Sequence, residues 1–214
     1  MGRTKHKKLA EVRTFPNVFD GKQFEVEKEI LRYFKNSNPI SLEIGCGHGD
    51  YTINLAKEFP KKNFIGIDIK GARIWAGAKA SLDLKLSNAV FLISRAEWLP
   101  ELFKNIKFSE IFIPFPDPHL RRKSAPRRLV SLDFLEVYKL LLEKGGRVYF
   151  KTDNEELYQF ALKNIQSKNL NIIAKSENLY SETQHDFFAL IKTKYEKHYL
   201  KEGRIIKYIC FSFD

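Results

Sequence analysis

With 214 residues the chain can bury one full hydrophobic core but hardly two, and 43% hydrophobic residues put it in the globular range, not the disordered one. No run approaches the ~18 apolar residues of a membrane span, so no membrane partner is expected. Lys and Arg number 37 against 26 Asp and Glu, a net charge of +11; this fits a nucleic acid, an anionic surface or a plain basic background, so its placement along the chain has to decide.

In chain order, residues 1–8 are basic with no apolar stretch behind them, unlike a secretory signal. Residues 1–15 are predicted as a basic, flexible arm, ahead of a single domain over 16–214. From Pro39 onward short apolar runs alternate with helix-like segments, the pattern of a parallel sheet covered on both faces. Strands are predicted at Ile40–Ile44, Asn63–Asp68, Ala89–Ile93, 110–113 and 147–151. Helices are predicted over 50–59, where Tyr51, Leu55 and Phe59 share a stripe, and over 72–84, 132–142 and 155–166, the third stopped by Gly145-Gly146. Two further strands, 171–174 and 204–213, flank an aromatic-rich stretch, 177–201, predicted as loop plus helix. The fold class is therefore α/β and Rossmann-like: a mostly parallel seven-stranded sheet with one antiparallel strand near the C-terminus and helices on both faces.

The first strand runs into Gly45-Cys46-Gly47-His48-Gly49. Glycines at that junction let the backbone turn sharply and come close to a ligand. The spacing departs from the dinucleotide fingerprint, since Asp50 stands where its third glycine belongs. Glu43, two residues before Gly45, is poor company for a pyrophosphate but suits a ligand with an ammonium group. Asp68 closes the second strand, where a carboxylate can accept both hydroxyls of a ribose. Together these residues favour S-adenosylmethionine, with its ammonium and sulfonium and no phosphate, and hence a class I methyltransferase. Arg95, Ala96 and Glu97 follow the third strand, where adenine is expected; Arg95 cannot accept a hydrogen bond, so Glu97 or the backbone has to. Cys46 and Cys210 lack CxxC or His company, which predicts reduced thiols, no metal and a cytoplasmic protein.

The fourth strand ends in Phe115-Pro116-Asp117-Pro118-His119. Prolines stiffen such a loop around one polar side chain, which makes Asp117 the catalytic candidate, although Asp-Pro is also a common turn. Arg121, Arg122, Lys123, Arg127 and Arg128 follow with no acid among them, and the arm adds Arg3, Lys5, Lys7, Lys8 and Arg13 against Glu11 alone. Charge clustered in this way points to RNA or DNA phosphates.

The chain resembles the bacterial tRNA (guanine-N7-)-methyltransferases from about Pro39 onward. The similarity rests on Leu42 to Gly49, on Ile65-Gly66-Ile67-Asp68, on Phe115-Pro116-Asp117-Pro118 with its basic run, on Lys151-Thr152-Asp153-Asn154 and on Thr193-Lys194-Tyr195-Glu196. The family more often has Glu for Asp68, Trp-Pro for His119-Leu120 and an acid for Arg95. The resemblance implies methylation of guanine N7 in the tRNA variable loop, with Asp117 and Glu196 gripping the base and Asp153 and Thr193 orienting the nucleoside. Arg121, four residues past Asp117, is expected at the target nucleotide, and Arg122, Lys123, Arg127 and Arg128 on the RNA backbone. A methyltransferase of exocyclic base amines and a catalytically silent RNA-binding relative are the competing readings. The sequence names no obligate protein partner and leaves the oligomeric state open.

Overall fold

The computed structural model describes residues 2–181 and 191–213. The chain divides into two compact units, Met1–Phe108 and Ser109–Asp214.

The first unit contains α1 (Gly2–Val12), β1 (Val18–Asp20), α2 (Val26–Phe34), β2 (Ile40–Ile44), α3 (Asp50–Glu58), β3 (Asn63–Asp68), α4 (Gly71–Asp83), β4 (Ala89–Ile93) and the short α5 (Leu99–Leu102). Its strands lie in the order β1-β4-β3-β2, and each neighbouring pair is parallel. β2 and β3 are buried at every position, as strands covered on both faces must be. The register sets Ile44 against Ile67 and Asp68 against Ile93, so all three strands deliver their ends to one edge. The loop before β5 is pinned by Glu27 on α2, whose carboxylate accepts the amides of Lys104 and Asn105, each at 3.1 Å.

The second unit takes up β5 (Phe108–Pro114) and adds α6 (Leu132–Leu141), β6 (Leu142–Thr152), α7 (Glu155–Ser167), β7 (Asn171–Ser176), α8 (Lys194–Lys201) and β8 (Lys207–Ser212). Its strand order is β5-β6-β8-β7, and β8 runs antiparallel to both β6 and β7. This is the antiparallel strand expected near the C-terminus. Gly145, at φ 76°, sits within β6 and not at a helix end, because α6 stops at Leu141 and the strand begins at once. α7 starts where expected, with Asn154 capping the amide of Leu157 at 2.8 Å. Of the stretch 177–201, residues 182–190 lie outside the described residues, and α8 supplies the expected helix.

The sequence reading did not foresee β1 or α2, so the strands number eight among the described residues. The expectation of a flexible arm over 1–15 is also corrected: residues 2–12 form α1, which lies on α4. The reason is packing. Val12 is fully buried in a cluster with Ile74, Ala78 and Phe91. Gly71 lacks a side chain where a Cβ would stand 3.0 Å from Leu9 Cδ1, and the Lys8 ammonium sits 4.5 Å from the Trp75 ring centre. Leu9 and Val12, set among so many charges, give a weak periodic signal, but they suffice to dock a helix.

Val12→Ala is therefore expected to lower stability by about 2 kcal/mol, read from the urea midpoint, while Lys5→Ala changes it by less than about 0.5 kcal/mol. Equal, negligible effects would mean that α1 does not hold to α4.

Candidate active site

The donor loop belongs to the first unit. Gly45, Gly47 and Gly49 all have positive φ, at 77°, 55° and 75°, where a side chain would be strained. The amides of Gly45 and Cys46 both donate to the Ile67 carbonyl at 2.8 Å, tying the loop to the end of β3. At Gly49 a Cβ would meet Phe91 Cε1 at 2.6 Å, whereas at Gly47 it would meet nothing nearer than the Gly45 carbonyl at 4.0 Å. Gly49 is thus required by packing, and Gly47 leaves open space for a ligand. A residue that sequence reasoning missed, Gly77 on α4, carries the loop from below: a Cβ there would stand 2.6 Å from the His48 carbonyl and 3.0 Å from Gly49 Cα. A glycine inside an apolar helix was the available signal.

Glu43 is 3% exposed. Its Oε2 accepts the Thr52 amide at 2.8 Å and the Thr52 hydroxyl, so the carboxylate ties the first turn of α3 to β2. Burial pushes its pKa up to about 8, with Asp50 and Asp68 adding to the rise and the Thr52 bonds opposing it. A cation lodged beside it would restore its charge. Asp68 is buried at the tip of β3, where one oxygen accepts the Gly47 amide at 3.1 Å and the other the Lys70 amide at 2.8 Å. Ala96 is buried, while Arg95 and Glu97 are exposed; the Arg95 guanidinium lies 5.9 Å from the Trp98 ring centre. Burial pushes the Cys46 thiol well up, which makes it an unreactive packing group.

The residues expected on the acceptor side belong to the second unit. Phe115 turns the chain out of β5 at φ 52°, its amide fastened to the Lys151 carbonyl at 2.9 Å. The Asp117 side chain is 73% exposed, and its Oδ1 accepts the His119 amide at 3.0 Å. His119 has φ 44°, so the loop holds a second non-glycine residue in left-handed backbone. Arg121, Arg122, Lys123 and Arg127 are all exposed on or beside the 3-10 turn Arg122–Arg127.

Arg128 departs from the expected phosphate-binding run. It is 4% exposed, and its guanidinium donates to the Pro118 carbonyl at 2.9 Å and the His119 carbonyl at 3.3 Å, and pairs with Glu156. One position past the turn its side chain swings inward, where desolvation demands internal partners.

Glu196 is fully buried. Its carboxylate takes the Lys151 ammonium at 3.0 and 3.3 Å and the Tyr180 hydroxyl at 2.5 Å. Thr193 caps α8 reciprocally with Glu196: the Glu196 amide donates to the Thr193 hydroxyl at 3.0 Å. Desolvation lowers the Lys151 pKa against the opposing pull of Glu196, and raises that of Tyr180. Asp153 is paired with Arg204 at 2.8 Å, and Arg204 lies 4.5 Å over Tyr199, whose ring meets Phe115 edge-on at 5.8 Å. The structure therefore joins Thr193 and Glu196 to Lys151, and Asp153 to Arg204. Lys151 was legible as a charge at the end of an apolar strand; Arg204 and Tyr180 carried no signal.

A family model described as "Putative methyltransferase" matches residues 37–209, running through both units. A tRNA (guanine-N(7)-)-methyltransferase of Porphyromonas gingivalis is 44% identical over 84% of this chain and 73% of its own. Its namesake in Bacteroides fragilis is 39% identical over 99% and 86%, and that of Listeria monocytogenes 30% identical over 99% of both chains. Among solved structures the 16S rRNA methyltransferase KamB superposes with a TM-score of 0.69 at 15% identity, over 92% of this chain and 98% of its own. That likeness shows the Rossmann-like methyltransferase fold.

Two measurements check the donor half. Gly77→Ala is expected to weaken S-adenosylmethionine binding by at least roughly tenfold, since its methyl would collide with backbone; an unchanged Kd would separate Gly77 from the loop. The raised pKa of Glu43 lends the donor-free fold stability at low pH that is lost as pH rises through about 8. A cationic donor prefers the ionised carboxylate, so donor affinity is expected to climb from pH 6 toward 8. Glu43→Gln, measured by calorimetry, removes the climb; a parallel pH dependence in both proteins would refute the assignment.

Proposed function

The chain belongs to the tRNA (guanine-N7-)-methyltransferase family and transfers a methyl group from S-adenosylmethionine to N7 of a guanine in tRNA, and from that premise we propose a division of labour among its residues, a target in the variable loop and a cytoplasmic place of action. The family match through both units supports residues 16–214 as one methyltransferase domain. Among the described residues no helix is long and apolar enough to cross a membrane.

Bound S-adenosylmethionine supplies an electrophilic methyl group on its sulfonium. The open space at Gly47 and the buried carboxylate of Glu43 fit that ligand. Glu43 balances the ammonium, Asp68 accepts the ribose hydroxyls with its remaining lone pairs, and Ala96 meets adenine through its backbone, flanked by Arg95 and Glu97. Gly45 and Gly49 hold the loop's course.

Guanine N7 carries an in-plane lone pair at neutral pH, so no side chain has to remove a proton first. What the protein must supply is alignment. The observation that carries the proposal is the exposure of the Asp117 carboxylate at 73%, against 20% for Asp153 and 0% for Glu196. Asp117 accepts the two N–H donors on the Watson–Crick edge of guanine, and its negative charge favours the cationic 7-methylguanine as it forms. A base gripped on that edge has left its pairing partner, so the nucleotide is drawn out of the stack. Asp153 and Thr193 orient the nucleoside. Glu196, engaged by Lys151 and Tyr180, holds the Thr193 segment against β6. Exposed Arg121 reaches the target nucleotide, and Arg122, Lys123 and Arg127 meet phosphates.

Incubation with labelled donor and tRNA lacking the modification is expected to give 7-methylguanosine in the variable loop; label on an exocyclic amine would defeat the proposal. Asp117→Asn is expected to lower turnover by roughly a hundredfold or more while leaving the donor Kd within about twofold. A normal rate would remove Asp117 from the mechanism.

A further inference from the structure

We propose that Arg128 is a positioning residue that holds the Asp117 loop from behind, and that it is not a ligand of tRNA phosphates. The proposal rests on the reading of Asp117 as the group that orients guanine.

The guanidinium has donors in a fixed fork. Nε serves the Pro118 carbonyl at 2.9 Å and a terminal nitrogen the next carbonyl, that of His119, at 3.3 Å. These carbonyls belong to the two residues that follow Asp117. α7 grips the same guanidinium: Glu156 pairs with it, and the Phe160 ring, one helical turn on, lies 4.5 Å from its central carbon. The loop it holds is one that does not hold itself. His119 is in left-handed backbone at φ 44° and accepts that conformation without the freedom of glycine. On its other side the turn is braced by the bond from the His119 amide to Asp117, made by the very carboxylate that must also meet the base. An anchor on the Pro118 and His119 carbonyls fixes the turn without using that carboxylate. Burial makes the same point from the other direction: at 4% exposure the guanidinium cannot be reached by a phosphate unless its three internal partners are given up. Arg127, its exposed neighbour, is the natural phosphate ligand.

The fork also distinguishes Arg from Lys. A lysine at position 128 keeps the charge but is a single point donor that cannot bond two successive carbonyls and Glu156 together. The test compares R128K and R128Q with R127K and R127Q in the full chain. It measures the single-turnover rate at saturating tRNA and donor, and tRNA affinity against salt. Both Arg128 variants are expected to lose roughly 10- to 100-fold in saturated rate, with affinity and salt slope unchanged. R127Q is expected to flatten the salt slope by about one unit, and R127K, which keeps the charge, to leave the slope as it is. The inference is overturned if R128K keeps the normal rate, or if R128Q flattens the salt slope as R127Q does. Should a thermal scan show that the Arg128 variants do not fold, E156Q loosens the guanidinium from its exposed side; a normal saturated rate there overturns the inference equally. D117N is run alongside. A normal rate in D117N removes the underlying reading, whereas an inactive D117N beside a fully active R128K removes the inference alone.

Discussion

A buried ammonium at the end of β6 organises the second unit. Lys151 and Glu196 are both essentially out of water, 3% and 0% exposed at their side chains, and a pair in that state holds only while both members stay matched. Removing one leaves the other charge stranded, at a cost of about 3–5 kcal/mol. The consequences spread along the chain. The ammonium also takes the Ile191 carbonyl at 2.8 Å, so the segment entering α8 is bound to the strand as well as the helix itself. The carboxylate on the other side completes the reciprocal cap with Thr193 that starts α8. The Lys151 carbonyl receives the Phe115 amide, which fixes where the Asp117 loop leaves β5. Residues far apart in sequence, Phe115, Ile191 and Glu196, are thus referred to one residue.

The first unit solves the corresponding problem with fewer charges. Parallel strands end together, and each end leaves backbone donors that the ladder no longer serves. Here the donor loop folds its amides back on the Ile67 carbonyl and the Asp68 carboxylate, while Glu43 caps α3 through Thr52. The acids proposed to hold the donor also brace the loop around it. Space is arranged with equal economy, since Gly49 and Gly77 approach so closely that neither tolerates a methyl group. The geometry of the donor loop is therefore set partly from α4, well outside the motif by which such loops are recognised.

The basic surplus splits into two kinds of residue. Arg121, Arg122, Lys123 and Arg127 face solvent, where a polyanion can exchange their counterions. Arg128 and Lys151 turn inward and are spent on carbonyls and carboxylates of the chain itself. Net charge counts both kinds alike, though only the first is placed to attract a polyanion, while the second holds the backbone of the Asp117 loop.

The sequence by itself determined the alternation of strands and helices from Pro39, the donor loop with Glu43 and Asp68, the Asp117 turn and the antiparallel last strand, because each is written in neighbouring residues whose periodicity or turn chemistry is local. The family resemblance rested on the same local runs. Only the tertiary structure decided that residues 2–12 form a docked helix, since two apolar contacts against α4 outweigh an otherwise charged segment. It alone decided that β1 adds a strand beside β4, a pairing three residues long that leaves almost no pattern. It alone separated Arg128 from Arg127, and Glu196 from Asp117, because adjacent or similar side chains differ there only in which way they point. Burial is what distinguishes a charge that must find its partner inside from one that waits for a substrate, and burial is fixed by residues distant in sequence.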